Sequence, residues 1–227
     1  MIREFVFLKS TAELGEADVS PYVADPSESC ISIFVNRVEP PIEGFTPEPL
    51  WTLVLEAAYD TDAPPARSAF TLDLRRAERS MAFLARQHIV FDGPRRGLKI
   101  LSMPRRKEGM TPEAFSQHYR RVHGALVAAC PPFREHLNCY VQHHVIPGTV
   151  STTGEAPAPC DGISEFRADN VDRALAAWKS PEYFEMVKPD EANFVFLRPE
   201  ASTFADRKSH KLTVVENGLY SRSVVAG

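Results

Sequence analysis

The chain has no basic excess. Its 26 lysines and arginines stand against 30 aspartates and glutamates, a net charge of −4. It therefore lacks the positive field that holds a polyanion, and nucleic acid is not an expected partner. No apolar run approaches the length of a membrane span. The opening "MIREFVFLKS" breaks a short apolar run with Arg3, Glu4 and Lys9, which argues against a signal-peptide core. There is no C-x-x-C pair. Cys30, Cys130, Cys139 and Cys160 are scattered, which argues against a disulfide frame or a zinc site and predicts reduced thiols in a cytoplasmic protein. What is present is an ordinary globular composition, 44% hydrophobic and 25% charged. The 227 residues allow one large domain or two small ones with a real core.

Hydrophobic patterning orders the elements. "IREFVFLK" reads as a strand, followed by a polar loop with Pro21 and Pro26. "CISIFVNRV" puts Ile31, Ile33 and Val35 on one face, and "WTLVLEAAY" does the same for Trp51, Leu53 and Leu55. Leu74, Ala77, Met81 and Leu84 recur at helical spacing, with Asp73 suited to the helix N-terminus, so a helix is expected from Thr71. "HIVFDG" then makes a short strand. A second cycle opens at Gly97 with the strand "LKILSMP". Thr111 is the expected N-cap of a helix with Pro112 at its first position, running to about Ala129 and stopping before Pro131 and Pro132. "EHLNCYVQHHVI" and "DGISEFRA" are strands. Asp169 or Asn170 caps a further helix, which Ser180 and Pro181 restart. "FVFLRP" closes the cycle, and "KLTVVE" adds an edge strand. The two cycles share an order of elements, except that the first has a loop in place of its first helix. That order predicts a degenerate internal duplication, joined near Gly93–Gly97.

The helix from Thr111 concentrates titratable groups in "HYRRVHGALV". Phe115, Tyr119, Val122 and Leu126 follow the spacing of a buried stripe. His123 and His118 sit on opposite shoulders of it, about 140° apart at roughly 100° per residue. That separation argues against joint metal ligation, which uses histidines one turn apart. Arg120 and Arg121 point to water. In the strand "LNCYVQHHV", Leu137, Cys139, Val141, His143 and Val145 share one face, and Tyr140, Gln142 and His144 share the other. His143 thus interrupts an apolar face. Each histidine alone fits a half-buried imidazole bonded to a carbonyl. His123 and His143 both directed toward one interior suggest a site.

"GMTPEAFSQHYRRVHGALV", "YVQHHV", "CDGISEF" and "WKSPEYFEMV", in that order, resemble the EthD-like family of dimeric α+β barrels. The match covers residues from about 97 to 200. The resemblance implies an α+β fold of two ferredoxin-like repeats in one chain, residues 1–95 and 96–227, whose sheets meet face to face in a barrel. The first repeat departs from the family pattern, because it lacks the first helix and its histidine. It is expected to be a structural partner. Family members act without metal or organic cofactor on aromatic, polyketide or lactone substrates, by decarboxylation, isomerisation, cyclisation or dehydration. The wider superfamily includes quinone-forming monooxygenases and haem-binding enzymes. Residue by residue, His123 matches the family's helix histidine, His118 and Tyr119 its variable polar pair, and His143 or His144 its strand histidine.

The expected function is a cofactor-independent lyase, a decarboxylase of a phenolic or polyketide-like acid. Imidazole has about the right pKa for the acid–base step. His123 is the expected acid/base, His143 assists, and Tyr119 or Tyr140 bonds a phenolic oxygen. Tyr140, His144, Phe166, Trp178 and Tyr183 line the substrate site. Asp161 and Glu165 are candidate histidine orienters, although an aspartate at a strand start more often forms a turn. The alternatives are an isomerase or cyclase on the same scaffold, a non-catalytic small-molecule or haem-binding protein, and a purely structural barrel. The chain acts as a monomeric pseudo-dimer or a homodimer. Because no metal-ligand pattern is present, activity is expected to survive prolonged EDTA treatment. Loss restored by one divalent ion contradicts the cofactor-free reading.

Overall fold

A computed structural model describes residues 1–9, 29–43, 45–46, 49–70, 78–155, 159–197 and 211–221. The expected loop after Lys9 and the start of the helix expected from Thr71 lie outside the described residues. Met81 and Leu84, assigned to that helix, lie instead in a long strand. Its continuation is the segment "HIVF" read as a separate short strand.

The strands are β1 (Ile2–Lys9), β2 (Cys30–Val38), β3 (Leu53–Tyr59), β4 (Arg79–Phe91), β5 (Leu98–Ser102), β6 (Cys139–Val145), β7 (Ser151–Gly154), β8 (Gly162–Ala168) and β9 (Lys211–Ser221). They form one nine-stranded sheet in the order β1-β3-β2-β9-β5-β8-β6-β4-β7. The described pairings are all antiparallel, apart from the short appended β7 they close into a ring, because β1 also pairs with β4 along its whole length. Closure removes the open edges that otherwise invite aggregation. Two seams join the halves of the chain: β2 with β9, and β4 with β6. "KLTVVE" is no edge strand but the seam strand β9, between β2 and β5. The described part of "FVFLRP" is no strand: Phe194 ends a helix, and Val195 makes only an isolated bridge to Arg106, while Arg198 and Pro199 lie outside the described residues.

The helices are α1 (Pro112–His118), α2 (Gly124–Ala129), α3 (Pro131–His136), α4 (Val171–Trp178) and α5 (Lys188–Phe194). Their caps follow the local chemistry. The Thr111 hydroxyl accepts from the Ala114 N–H at 3.2 Å, with Pro112 following. Asn170 Oδ1 accepts from the Arg173 N–H at 2.9 Å. Ser180 Oγ accepts from the Tyr183 N–H at 3.2 Å and so restarts the helix after α4. Pro131 and Pro132 end α2 as expected, and then open α3. No helix among the described residues is long and apolar enough to cross a membrane.

Strand alternation divides the core in two. One face of β5, β6 and β8 meets the helices through Ile100, Tyr140, Phe166, Phe133, Trp178 and Tyr183. The other face points into the ring. There an aromatic wedge of Phe5, Phe7 and Phe83, with centroids 5.7–6.3 Å apart, fills one part. A polar network fills the rest. Lys99, 1% exposed, is paired with Glu56, lies 2.6 Å from Glu216 and donates to Asn36 Oδ1 at 3.1 Å. Arg167 reaches Glu216 at 2.8 Å, and Glu165 meets His143 at 3.0 Å. Burial pulls the Lys99 pKa down, but Glu56, Glu165 and Glu216 outweigh it and raise it. Gly97 precedes β5 with φ +76°, where a Cβ would sit 2.2 Å from the Ala168 carbonyl oxygen.

Each half covers the other's ring-facing residues, so a fragment starting at Gly97 exposes Lys99, Glu165 and Arg167 and leaves the β6 and β9 edges unpaired. Expressed alone, it is expected to dimerise or aggregate, as read by size-exclusion chromatography with light scattering. A stable monomeric fragment contradicts this account of the core.

Candidate active site

The histidine helix is not a uniform α-helix. Between α1 and α2 lies a π-helical turn, Tyr119–His123, in which the Gly124 N–H reaches back to the Tyr119 carbonyl. In such a turn the hydrogen bond spans five residues, so residues five apart come to one side. His118 and His123 are five apart. Both meet Asp190: His118 Nε2 lies 2.8 Å from Oδ1, and His123 Nδ1 lies 3.2 Å from Oδ2. The expected 140° separation fails for this reason.

The same turn shifts the buried stripe. Phe115, Tyr119, His123 and Val127 are buried, whereas Val122, assigned to the stripe, is 42% exposed. His123 thus lies on the stripe and not at its shoulder. Arg120 and Arg121 are exposed, as expected.

Asp190 comes from α5, which is preceded by a second π-helical turn, Tyr183–Val187. Pro189 has no N–H for the Glu185 carbonyl, and its ring crowds that group, so the helix opens there. Burial raises the Asp190 pKa. Hydrogen bonds from His123, His118 and Asn193 prevail and hold it down at about 2. The carboxylate is therefore charged and fixes the His123 ring through Nδ1. Among the described residues, no protein group bonds His123 Nε2.

His123 borders a narrow cavity of ≈ 40 Å³ between the sheet and the helices. Tyr119, Ser164, Phe166, Trp178, Tyr183 and Glu191 also line it. Phe166 stacks on Tyr140 with centroids 4.3 Å apart, and Trp178 stands edge-on to Phe166 at 4.9 Å. Tyr119 Oη lies 2.5 Å from Ser164 Oγ, and Tyr183 Oη donates to Glu191 at 2.9 Å. Gln142 Nε2 donates to Tyr140 Oη at 2.9 Å and to the Tyr119 carbonyl at 2.7 Å. Burial pushes Tyr119 well above the usual phenol range and Tyr140 up to about 12; burial and Glu191 raise Tyr183. These phenols stay neutral donors at physiological pH. Close approach of the helix needs Gly162 beneath it, because a Cβ there would lie 2.9 Å from the Tyr119 ring.

The structure brings Tyr119, His123, Phe166, Trp178 and Tyr183 to one cavity, with His118 behind Asp190. Tyr140 lies beneath the cavity floor, bonded to Gln142, with Ser164 Oγ at 3.4 Å. His143 is not part of this group. It faces the ring interior, with Nε2 on Glu165 and its ring 5.0 Å from Phe5, so the sheet separates it from His123. Burial lowers its pKa despite Glu165. His144 faces the helices beside Tyr119 at 5.1 Å, with Nδ1 2.9 Å from Ser116 Oγ, in a different pocket. Glu165 orients His143 and not His123. Asp161 holds Arg106, accepting also from its backbone N–H at 2.8 Å, a contact between remote segments and not a local turn.

Sequence reasoning did not find Asp190, Glu191 or Ser164. Asp190 stands three residues after Val187 and four before Phe194, which is the phase of a buried face. A carboxylate in that phase was the available signal. Among the described residues no group of three or more His, Cys, Asp or Glu is arranged to hold a metal.

Residues 107–197 match the family model of the EthD domain. No curated protein matches the chain. Among solved structures, an anthrone oxidase-like protein shares 11% identity and a TM-score of 0.58, over 100% of this chain and 96% of that one. A candidate monooxygenase from Lactobacillus acidophilus NCFM shares 12% identity over 95% of this chain and 93% of its own, with a TM-score of 0.47. The likeness to the anthrone oxidase-like protein shows an α+β fold with a curled antiparallel sheet. The chain carries an EthD domain over residues 107–197, the segment that supplies both π-helical turns and the His118–Asp190–His123 group.

Proposed function

We propose that this chain is a small-molecule enzyme in which His123 moves a proton on a phenolic or polyketide-like substrate. The observation that carries the reading is the His123 ring, held at Nδ1 by an ionised Asp190 while Nε2 is left to the aromatic cavity. A fixed carboxylate sets the tautomer and stabilises the imidazolium that proton uptake creates. The neutral hydroxyls of Tyr119 and Ser164 stand where a phenolic oxygen can be bonded as charge grows on it.

The lining separates the reactions that the family resemblance implies. Among the described residues no lysine or arginine lines the cavity, and Glu191 does. A substrate carboxylate would meet repulsion there without a cationic anchor. Isomerisation or cyclisation by proton transfer is therefore favoured over decarboxylation, the first expectation from sequence. The name of the anthrone oxidase-like neighbour fits the same substrate class, since an anthrone is an aryl ketone with an acidic C–H whose enol tautomer is a phenol. A cavity that takes benzene measures about 150 Å³, so the walls must part to admit a ring.

The two-repeat organisation, residues 1–95 and 96–227, belongs to the same proposal. It is supported by strand order, because β4-β1-β3-β2 and β9-β5-β8-β6 repeat one pattern. A single chain then supplies both sheets of the barrel, as a pseudo-dimer.

His123→Ala is expected to cut turnover of a phenolic or polyketide-like substrate by roughly 100-fold or more, with a melting temperature near that of wild type. His118→Ala is expected to cost less. Near-normal turnover in His123→Ala, or loss only in proportion to unfolding, contradicts the assignment.

Asp190 gives a stability test. Its folded pKa of about 2 lies below the ordinary 3.8, so the unfolded chain takes the proton first. Its contribution is full above about pH 4 and is lost as pH falls toward 2. Asp190→Asn is expected to be less stable at pH 7, and to lose less further stability than wild type over that acid interval in urea titrations. Parallel acid limbs contradict the ion-pair geometry.

A further inference from the structure

We propose that a second pocket, on the far side of Tyr119 from the cavity, is a binding site for a small oxyanion, a phosphate or a carboxylate. The pocket measures ≈ 200 Å³ and lies where the halves of the chain meet. β4 contributes Arg86, Gln87 and His88, α1 contributes Ser116, the π-helical turn contributes Arg120, and β6 contributes His144. Met1 and Asp62 complete the lining.

The donors outnumber the acceptors. The His144 side chain is buried at 7% exposure, and its Nε2 has no hydrogen-bond partner. Its other nitrogen, Nδ1, is engaged by Ser116 Oγ at 2.9 Å. With Ser116 donating to Nδ1, the ring presents an unpaired Nε2–H. A buried donor left unmade is costly, and such a group calls for a partner. Arg120 makes no ion pair or hydrogen bond among the described residues. Arg86 Nη1 donates to the Asp62 carbonyl at 2.8 Å, which leaves the rest of its fork available. Gln87 Oε1 already accepts from Arg3. Asp62, the one carboxylate among the described residues of the lining, is fully exposed at its side chain and lies 3.4 Å from the amino group of Met1.

The surroundings also hold the two imidazoles neutral beside Arg120. His88 and His144 stand edge to face with centroids 6.2 Å apart. Burial first, then Arg120, lowers the His88 pKa; burial, His88, His143 and Arg120 lower that of His144 to about 3. An oxyanion between them supplies the missing acceptor for Nε2–H and the missing counter-charge for Arg120. This inference is independent of proton transfer at His123, because its readout is binding.

The test uses the full chain at pH 7 and constant ionic strength, set with sodium chloride. Inorganic phosphate and acetate are titrated separately, following melting temperature and the imidazole NMR signals of His88 and His144. The expected result is a saturable rise in melting temperature, with both imidazole signals moving along the same isotherm. Tighter phosphate assigns a tetrahedral ligand, and tighter acetate assigns a carboxylate. Arg120→Gln and His88→Gln are each expected to weaken binding at least 10-fold. Arg120 is exposed, so its variant should melt like wild type without anion. No saturable shift with either anion, or equal binding by both variants and wild type, overturns the proposal.

Discussion

The barrel depends on Lys99. It is 1% exposed and cannot be left unpaired. Its partners are Glu56 on β3, Asn36 on β2 and Glu216 on β9, so one ammonium ties three strands to β5 through the ring interior. Two of those strands come from the N-terminal half. Arg167 shares Glu216 and reaches toward Glu165, which in turn holds His143. This network works beside the aromatic wedge of Phe5, Phe7 and Phe83. The halves are joined by backbone at the two seams and by charge at the centre. Removing one partner of such a buried group typically costs about 3–5 kcal/mol.

With the interior occupied in this way, the proposed chemistry belongs to the other face of the sheet. There the residues alternate with the ionic ones: Tyr140 and Gln142 beside His143, Ser164 and Phe166 beside Glu165. The helices lie over that face and close an aromatic cavity. Each of the two facing helical segments carries a π-helical turn, and each turn positions part of the candidate site. One brings His118 and His123 to the same side, and the other precedes Asp190. Such turns are frequent at functional sites because they re-aim a few side chains without breaking the helix.

Much of this was legible in the sequence. Thr111, Pro112, Asn170 and Ser180 act as read, because capping is local chemistry. The alternation of β6 correctly set His143 and His144 on opposite faces. The family resemblance, read from four short motifs, is matched by the EthD domain at residues 107–197. What failed depended on geometry that spacing alone does not carry. A wheel at 100° per residue separates His118 from His123 and buries Val122. One π-helical turn reverses both results. His143 interrupts an apolar strand face as expected, but that face belongs to the ring interior. Periodicity separates two faces without saying which one meets the helices. Met81 and Leu84 suit a helix and a strand about equally well, and the pairing of β4 with β1 and β6 decides for the strand. The segment "KLTVVE" reads as an edge because its two partners, β2 and β5, are remote in sequence.

The central claim is that His123, oriented by Asp190, exchanges protons with a ring held against Tyr119 and Ser164. Isotope exchange tests it without knowledge of the physiological product. A resorcinol-type phenol is incubated with the protein in deuterated buffer, and deuterium entering its ring carbons is followed by proton NMR. The account predicts exchange faster than in buffer alone, falling to the buffer rate in His123→Ala while His143→Ala variants that fold retain it. Exchange at the buffer rate in the wild-type protein, with binding of the phenol demonstrated by saturation transfer, or undiminished exchange in His123→Ala, would contradict it.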